Sequence, residues 1–127
     1  MKNISIIGLG KLGLCFGLTL EKAGYNVLGC DIDESYVKSI NDKTLESSEQ
    51  GVEEHLLKSV NLKATTDLNE TLNFSDIIFV IVATPSLENG RYDHTQVDSV
   101  VSKLISFGKP EKQKHFVICC TTMPQYC

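Results

Sequence analysis

The chain has 127 residues, of which 42% are hydrophobic, and a formal net charge of −4. A chain of this length can bury one globular core without metals or disulfides, so we expect a single domain over residues 1–127. The negative charge and the scattered lysines argue against nucleic acid and membrane partners.

Short apolar runs alternate with amphipathic segments along the chain. Continuous runs of this length are typical of strands covered on both faces, and they lie at residues 4–7, 27–30, 62–64, 77–82 and 116–120. Apolar residues at helical spacing predict a helix after the first run, and Gly24 is placed to end it in a left-handed conformation.

A second long helix is predicted before the last apolar run. Asp93 and Gln96 form a capping-box signal for its start, and Gly108 and Pro110 mark its end. Shorter helices are predicted at residues 35–41, 51–59 and 67–72, and each of the last two could be a single turn. Strands that alternate with helices predict a doubly wound α/β fold, with about five parallel strands and helices on both faces.

The apolar start of the chain resembles a signal peptide only superficially. Lys11 interrupts the run, glycines punctuate it and no small-residue cleavage site follows, so we expect a cytoplasmic protein. The histidines show no metal-ligand spacing, and no metal site is predicted. The cysteines form no CxxC pair and are expected to be reduced packing residues: Cys15, Cys30, Cys119, Cys120 and Cys127.

A glycine-rich loop, GLGKLG, follows the first predicted strand and opens the first predicted helix. This arrangement aims backbone N–H groups and the positive end of the helix dipole at a pyrophosphate. Gly8 would permit the tight turn, Gly10 would let phosphates approach the backbone, and Gly13 would let the helix pack close to the sheet. The motif alone is weak evidence, and its context strengthens it.

An acidic residue completes the predicted dinucleotide site. Asp31 ends the second strand, where a carboxylate hydrogen bonds to the ribose hydroxyls and repels a 2′-phosphate, so NAD is favoured over NADP. Asp33 is expected to cap the next helix, and the side chain of Lys11 to be solvated. The residues predicted to contact the cofactor here are Gly8, Leu9, Gly10, Lys11, Leu12, Gly13 and Asp31.

Several segments of the chain form a recognisable series. In chain order they are IIGLGKLGL, GCDIDES, ESSEQGVEEHL, LKATTDL, VIVATPSLENGRYDHTQV and FVICCTTMP. Together these segments resemble the amino-terminal NAD-binding domain of the UDP-glucose and GDP-mannose dehydrogenase family. The resemblance covers essentially the whole chain. It implies an NAD-dependent oxidation of a nucleotide sugar, with Ala83, Thr84 and Pro85 beside the nicotinamide half of NAD. It also implies that Thr121, at a strand end, helps to position water and substrate.

The resemblance also implies what this chain lacks. The family's nucleophilic cysteine, its nucleotide-sugar site and its dimerisation helix belong to later domains, so we expect a truncated domain without turnover, with homo-oligomers possible. Three residues depart from the family pattern: Gln50 replaces a proline, Tyr36 a basic residue near the adenosine, and Gln125 a glycine.

Two other functions stay open at this point. A non-catalytic nucleotide-sensing module would share the glycine loop and the acidic strand end. The loop that contains Thr84 and Pro85 and the TTMP sequence that begins at Thr121 nevertheless favour the enzyme. A remnant that folds but binds nothing is the other alternative.

Overall fold

The computed structural model describes residues 2–47, 49–82, 87–89, 95–107 and 113–119. Strands and helices alternate within this part of the chain, apart from two successive helices before the third strand. Their bounds are β1 (Asn3–Ile7), α1 (Lys11–Lys22), β2 (Asn26–Cys30), α2 (Glu34–Asn41), α3 (Val52–Lys58), β3 (Leu62–Thr65), α4 (Leu68–Phe74), β4 (Ile77–Val80), α5 (Thr95–Phe107) and β5 (His115–Ile118).

The described strands form one parallel sheet with the order β3-β2-β1-β4-β5. β1 lies at the centre, paired with β2 on one side and with β4 on the other. The strand order therefore reverses beside β1, which is the place where open α/β sheets bind ligands. This topology confirms the predicted doubly wound α/β fold.

Among the described residues, one hydrophobic cluster lies on each face of the sheet. Successive side chains of a strand point to opposite faces, so Ile6 and Ile7 of β1 belong to different clusters. The Ile6 cluster includes side chains of α1, α2 and α3, and the Ile7 cluster includes side chains of α4 with partly buried residues of α5. β1 is consequently buried on both faces, as its continuous apolar run predicts.

Local signals determine several helix ends. Gly24 follows α1 with φ 104°, as predicted. The carboxylate of Asp33 accepts a hydrogen bond from the N–H of Tyr36 at the start of α2, over 3.1 Å, which confirms its predicted capping role. Asp67 caps α4 in the same way, through the N–H groups of Asn69 and Glu70.

Some predicted boundaries differ from the observed ones. β4 ends at Val80, two residues before the end of its apolar run, and Val82 lines a cleft instead. The helices α3 and α4 each have seven residues, so neither is a single turn. The predicted capping residue Asp93 and the predicted end at Gly108 and Pro110 lie outside the described residues.

The described cysteines are free, and they differ in exposure. Cys30 is buried, and burial raises the pKa of its thiol, which suits a packing residue. Cys119 is exposed after β5, so its predicted packing role is wrong, whereas Cys120 and Cys127 lie outside the described residues. Each helix in the described ranges is too short or too polar to span a bilayer.

Candidate functional site

The glycine loop lies at the carboxyl end of β1, between β2 and β4. Gly8 donates its N–H to the carbonyl of Cys30 on β2 over 2.8 Å. On the other side, Ile81 donates its N–H to the carbonyl of Ile7 over 2.7 Å. The loop is therefore anchored to both neighbouring strands at the point where the strand order reverses.

Two of the three glycines are required by close packing. A Cβ added to Gly8 would lie 2.2 Å from the carbonyl oxygen of Ile81, and the φ of Gly8 is 102°. A Cβ on Gly13 would lie 2.0 Å from the carbonyl oxygen of Gly8. These positions admit no larger residue, because backbone atoms occupy the space.

Gly10 differs from both of them. A Cβ placed on Gly10 would meet no described atom within 4 Å, and its φ of −63° is open to any residue. Gly10 is also the N-cap of α1, and no side chain in the described part of the chain caps that helix end. The first N–H groups of α1 thus have no capping side chain among the described residues, and such a helix start can bind a phosphate.

Leu9 fixes the loop against β2. Its side chain is fully buried and lies over Gly29, where an added Cβ would come within 2.3 Å of a Leu9 methyl carbon. Sequence reasoning missed Gly29, although a glycine inside an apolar strand is a signal of close approach by another group. The pair explains why a leucine can sit between two loop glycines without exposing its side chain.

Asp31 lies beside the loop, as predicted. One carboxylate oxygen accepts the N–H of Leu9 over 3.2 Å, and the other accepts the N–H of Asp33 over 3.0 Å. A carboxylate has further acceptor positions beyond these two bonds. Asp31 can therefore hold the loop and still accept hydrogen bonds from a ligand.

Tyr36 connects α2 to the same loop. Its hydroxyl donates a hydrogen bond of 2.5 Å to the carbonyl of Leu9. Burial raises the pKa of this phenol, with a further contribution from the Asp31 carboxylate, so the hydroxyl stays protonated and able to donate. The sequence indicated only that Tyr36 departs from a basic family position.

A cleft of about 500 Å³ opens next to the loop and Asp31. Apolar side chains predominate in its wall, and Ile32 stands at its mouth with 89% of its surface exposed. Sequence reasoning missed most of these residues, because they come from five separate parts of the chain. The cleft is lined by Ile7, Gly8, Gly10, Cys30, Asp31, Ile32, Thr66, Leu68, Ile81, Val82, Thr95, Gln96, Ser99, Val100 and Lys103.

The remaining predicted site residues divide into two groups. Lys11 is exposed, as expected for a solvated side chain, with its ammonium 3.9 Å from the carboxylate of Glu49. The side chain of Leu12 is also exposed, and its backbone lies in the first turn of α1. The others lie outside the described residues: Ala83, Thr84, Pro85 and Thr121.

The arrangement has the parts of a dinucleotide site. Gly10 lies at the start of α1, where no described side chain caps the helix. The carboxylate of Asp31 follows β2, and the apolar cleft adjoins both. These features suit a pyrophosphate, a ribose and a base, in that order. The residues present therefore fit the cofactor that the sequence predicts.

Comparison with known proteins gives one consistent result. The NAD-binding domain model of the UDP-glucose/GDP-mannose dehydrogenase family matches residues 2–126. The chain is 34% identical over 107 residues to a UDP-glucose 6-dehydrogenase of Bacillus subtilis, a match that covers 82% of this chain and 23% of that protein. It is 30% identical over 124 residues to a GDP-mannose 6-dehydrogenase of Pseudomonas savastanoi pv. phaseolicola, covering 95% and 28% respectively.

A solved structure agrees with these relatives. The GDP-mannose dehydrogenase of Pseudomonas aeruginosa, solved as a ternary complex, superposes with a TM-score of 0.87 at 29% identity. The match covers 95% of this chain and 29% of that one. The chain thus spans less than a third of the length of each of these proteins.

Proposed function

The chain belongs to the UDP-glucose/GDP-mannose dehydrogenase family, whose NAD-binding domain it carries, and on this premise we propose that it binds NAD at the glycine loop. The observation that carries the proposal is the contrast among the three glycines. Gly8 and Gly13 are enclosed by backbone, whereas Gly10 faces open space at the start of α1. No described protein atom occupies the space beside Gly10, so a ligand can approach its backbone closely.

The pyrophosphate of NAD would lie against the N-terminus of α1. Gly10, Lys11, Leu12 and Gly13 would contribute backbone, since the side chains of Lys11 and Leu12 are exposed to solvent. The helix dipole adds a favourable term for the negative charge of the phosphates. Gly8 and Leu9 would act by holding this backbone in place.

The adenosine half would lie next to Asp31 and the apolar cleft. The carboxylate would accept hydrogen bonds from the ribose hydroxyls, and its charge would repel the 2′-phosphate of NADP. The exposed face of Ile32 and the apolar wall at Val82 and Val100 would contact the adenine. This placement uses each of the features that adjoin the loop.

The nicotinamide half is proposed from the family pattern. Ala83, Thr84 and Pro85 would border the nicotinamide, and Thr121 would help to position water and substrate. When bound, NAD supplies the acceptor for a hydride from a substrate alcohol. The substrate class proposed for the longer enzyme is a nucleotide sugar, as the names of the relatives indicate. Self-association of the chain stays a prediction.

Calorimetric titration of the chain with NAD, NADP and ADP-ribose tests this proposal. NAD and ADP-ribose should bind with similar affinity, because the described site holds the parts that they share. NADP should bind at least about tenfold more weakly, as expected for one like-charge contact. In the Asp31→Asn variant, the difference between the affinities for NAD and for NADP should become smaller.

The matched control is Asp42→Asn, which neutralises a carboxylate at the other end of α2. In this variant, the difference between the affinities for NAD and for NADP should equal that of the unmodified chain. Absence of binding by NAD and by ADP-ribose would contradict the proposal and would favour a remnant that keeps only the fold.

A further inference from the structure

We infer that Tyr36 is a positioning residue, whose hydroxyl holds the glycine loop in the shape that receives a pyrophosphate. The inference rests on the proposed function of the loop. It concerns a side chain for which neither the glycine motif nor the acidic strand end predicts a role. The argument depends on the hydrogen bonds of Leu9 and on the packing of its side chain.

The hydrogen bonds form a closed ring between the loop and the β2–α2 turn. Leu9 donates to Asp31, which also accepts from the backbone of Asp33. The side chain of Asp33 accepts from the N–H of Tyr36, and the hydroxyl of Tyr36 returns to the carbonyl of Leu9. Both polar backbone groups of Leu9 are therefore bound to side chains that follow β2.

Packing restrains the same residue from a third direction. The Leu9 side chain is fully buried over Gly29, so Leu9 cannot rotate without a clash or loss of its burial. The next residue, Gly10, is the N-cap of α1 and begins the backbone at which the proposed pyrophosphate would lie. Fixing the carbonyl of Leu9 fixes the peptide plane shared with Gly10, because the peptide unit is planar. Tyr36 thus controls the direction of a backbone N–H group at the start of the site.

The Tyr36→Phe variant removes the hydroxyl and keeps the ring. Loss of one hydrogen bond that preorganises the loop should weaken ADP-ribose and NAD binding by about three- to tenfold. Adenosine, which has no phosphate, should bind the variant and the unmodified chain equally. Tyr36→Ala should weaken ADP-ribose binding about as much as Tyr36→Phe, provided that urea unfolding shows it folded.

The matched control is Tyr25→Phe, which removes a phenol hydroxyl just before β2, at the opposite edge of the sheet. It should leave the affinity for ADP-ribose unchanged. A general loss of stability would act on adenosine and ADP-ribose alike, so the ratio of the two affinities separates positioning from a merely structural role.

The outcomes separate this inference from the proposed function. If the unmodified chain binds ADP-ribose and Tyr36→Phe binds it equally well, the positioning role is wrong and the NAD site stands. Equal weakening of adenosine and ADP-ribose would also overturn the inference, since the effect of Tyr36 would then be either general stability or a contact with the adenosine itself. If the unmodified chain binds neither NAD nor ADP-ribose, the proposed function fails and this inference fails with it.

Discussion

The three glycines of the loop illustrate how one residue type serves two physical purposes. Gly8 and Gly13 are dictated by contacts within the protein, since the atoms nearest to their missing side chains are backbone carbonyl oxygens. Gly10 has no such neighbour in the described structure, so protein packing does not explain it. We propose that a ligand which approaches the backbone closely explains this glycine.

This contrast predicts opposite phenotypes for two alanine variants. Gly10→Ala should change the free energy of unfolding by less than about 1 kcal/mol, because its backbone conformation and surroundings accept a methyl group. It should nevertheless lower the affinity for NAD by tenfold or more, since the methyl group would occupy the position of a phosphate. Urea unfolding and calorimetric titration measure the two effects.

Gly13→Ala provides the comparison. Its Cβ would meet a backbone oxygen, so the variant should lose about 1–3 kcal/mol of unfolding free energy, as overpacked residues do. If Gly10→Ala bound NAD normally, the phosphate could not lie at this position.

At the level of elements, the turn between β2 and α2 combines a helix cap with the proposed ligand site. Asp31 faces the glycine loop, whereas Asp33, two residues later, caps α2. Hydrogen bonds from the backbone of Tyr36 and from the side chain of Ser35 lower the pKa of Asp33 below its ordinary value. The two carboxylates therefore have separate roles despite their proximity.

The lowered pKa predicts how the cap depends on pH. Asp33→Ala should reduce the urea midpoint at neutral pH, because the start of α2 loses its acceptor. A carboxyl group whose pKa is lower in the folded state stabilises the protein above its unfolded pKa. That contribution is lost as pH falls through the folded pKa. The difference in urea midpoint between the unmodified chain and Asp33→Ala should therefore become smaller below about pH 3.8, the ordinary pKa of an aspartate.

Asp42→Ala is the control for this experiment, because Asp42 lies at the C-cap of the same helix. It should not reduce the urea midpoint. A difference for Asp33→Ala that stays constant down to pH 2 would contradict the electrostatic origin of the cap.

At the level of the whole molecule, the sheet is covered unevenly. β1 is buried on both faces, whereas the residues of β5 at the edge are exposed, with Phe116, Val117 and Ile118 each more than 40% accessible. The chain also spans less than a third of the family members that it matches. We propose that this chain binds NAD and that substrate oxidation requires the full length of the family members.

The 127-residue chain, assayed alone, should show no NADH production with UDP-glucose or GDP-mannose. Hydride transfer requires the substrate alcohol to be held close to the nicotinamide, and the chain spans less than a third of the length of the dehydrogenases that it matches. The full-length UDP-glucose 6-dehydrogenase of Bacillus subtilis serves as the positive control for the assay. Sustained NADH production by the short chain would contradict this division of function.

The sequence by itself was sufficient for the order of the described elements and for the proximity of Asp31 to the glycine loop. Buried parallel strands appear as apolar runs, helix caps depend on residues a few positions apart, and the glycine loop is a contiguous motif. For these reasons the five described strands, the cap at Asp33 and the position of Asp31 beside the loop could all be predicted. The sequence resemblance also predicted the family.

Only the tertiary structure decided how the loop is held. The contacts that hold it join residues from distant parts of the chain. Leu9 packs on Gly29, Ile81 encloses Gly8, and the cleft is lined from five parts of the chain. Tyr36, which departs from the family's sequence pattern, donates a hydrogen bond to the carbonyl of Leu9, 27 residues earlier in the chain. No local pattern encodes such contacts, because they form only when β1, β2 and β4 bring their carboxyl ends together at one edge of the sheet.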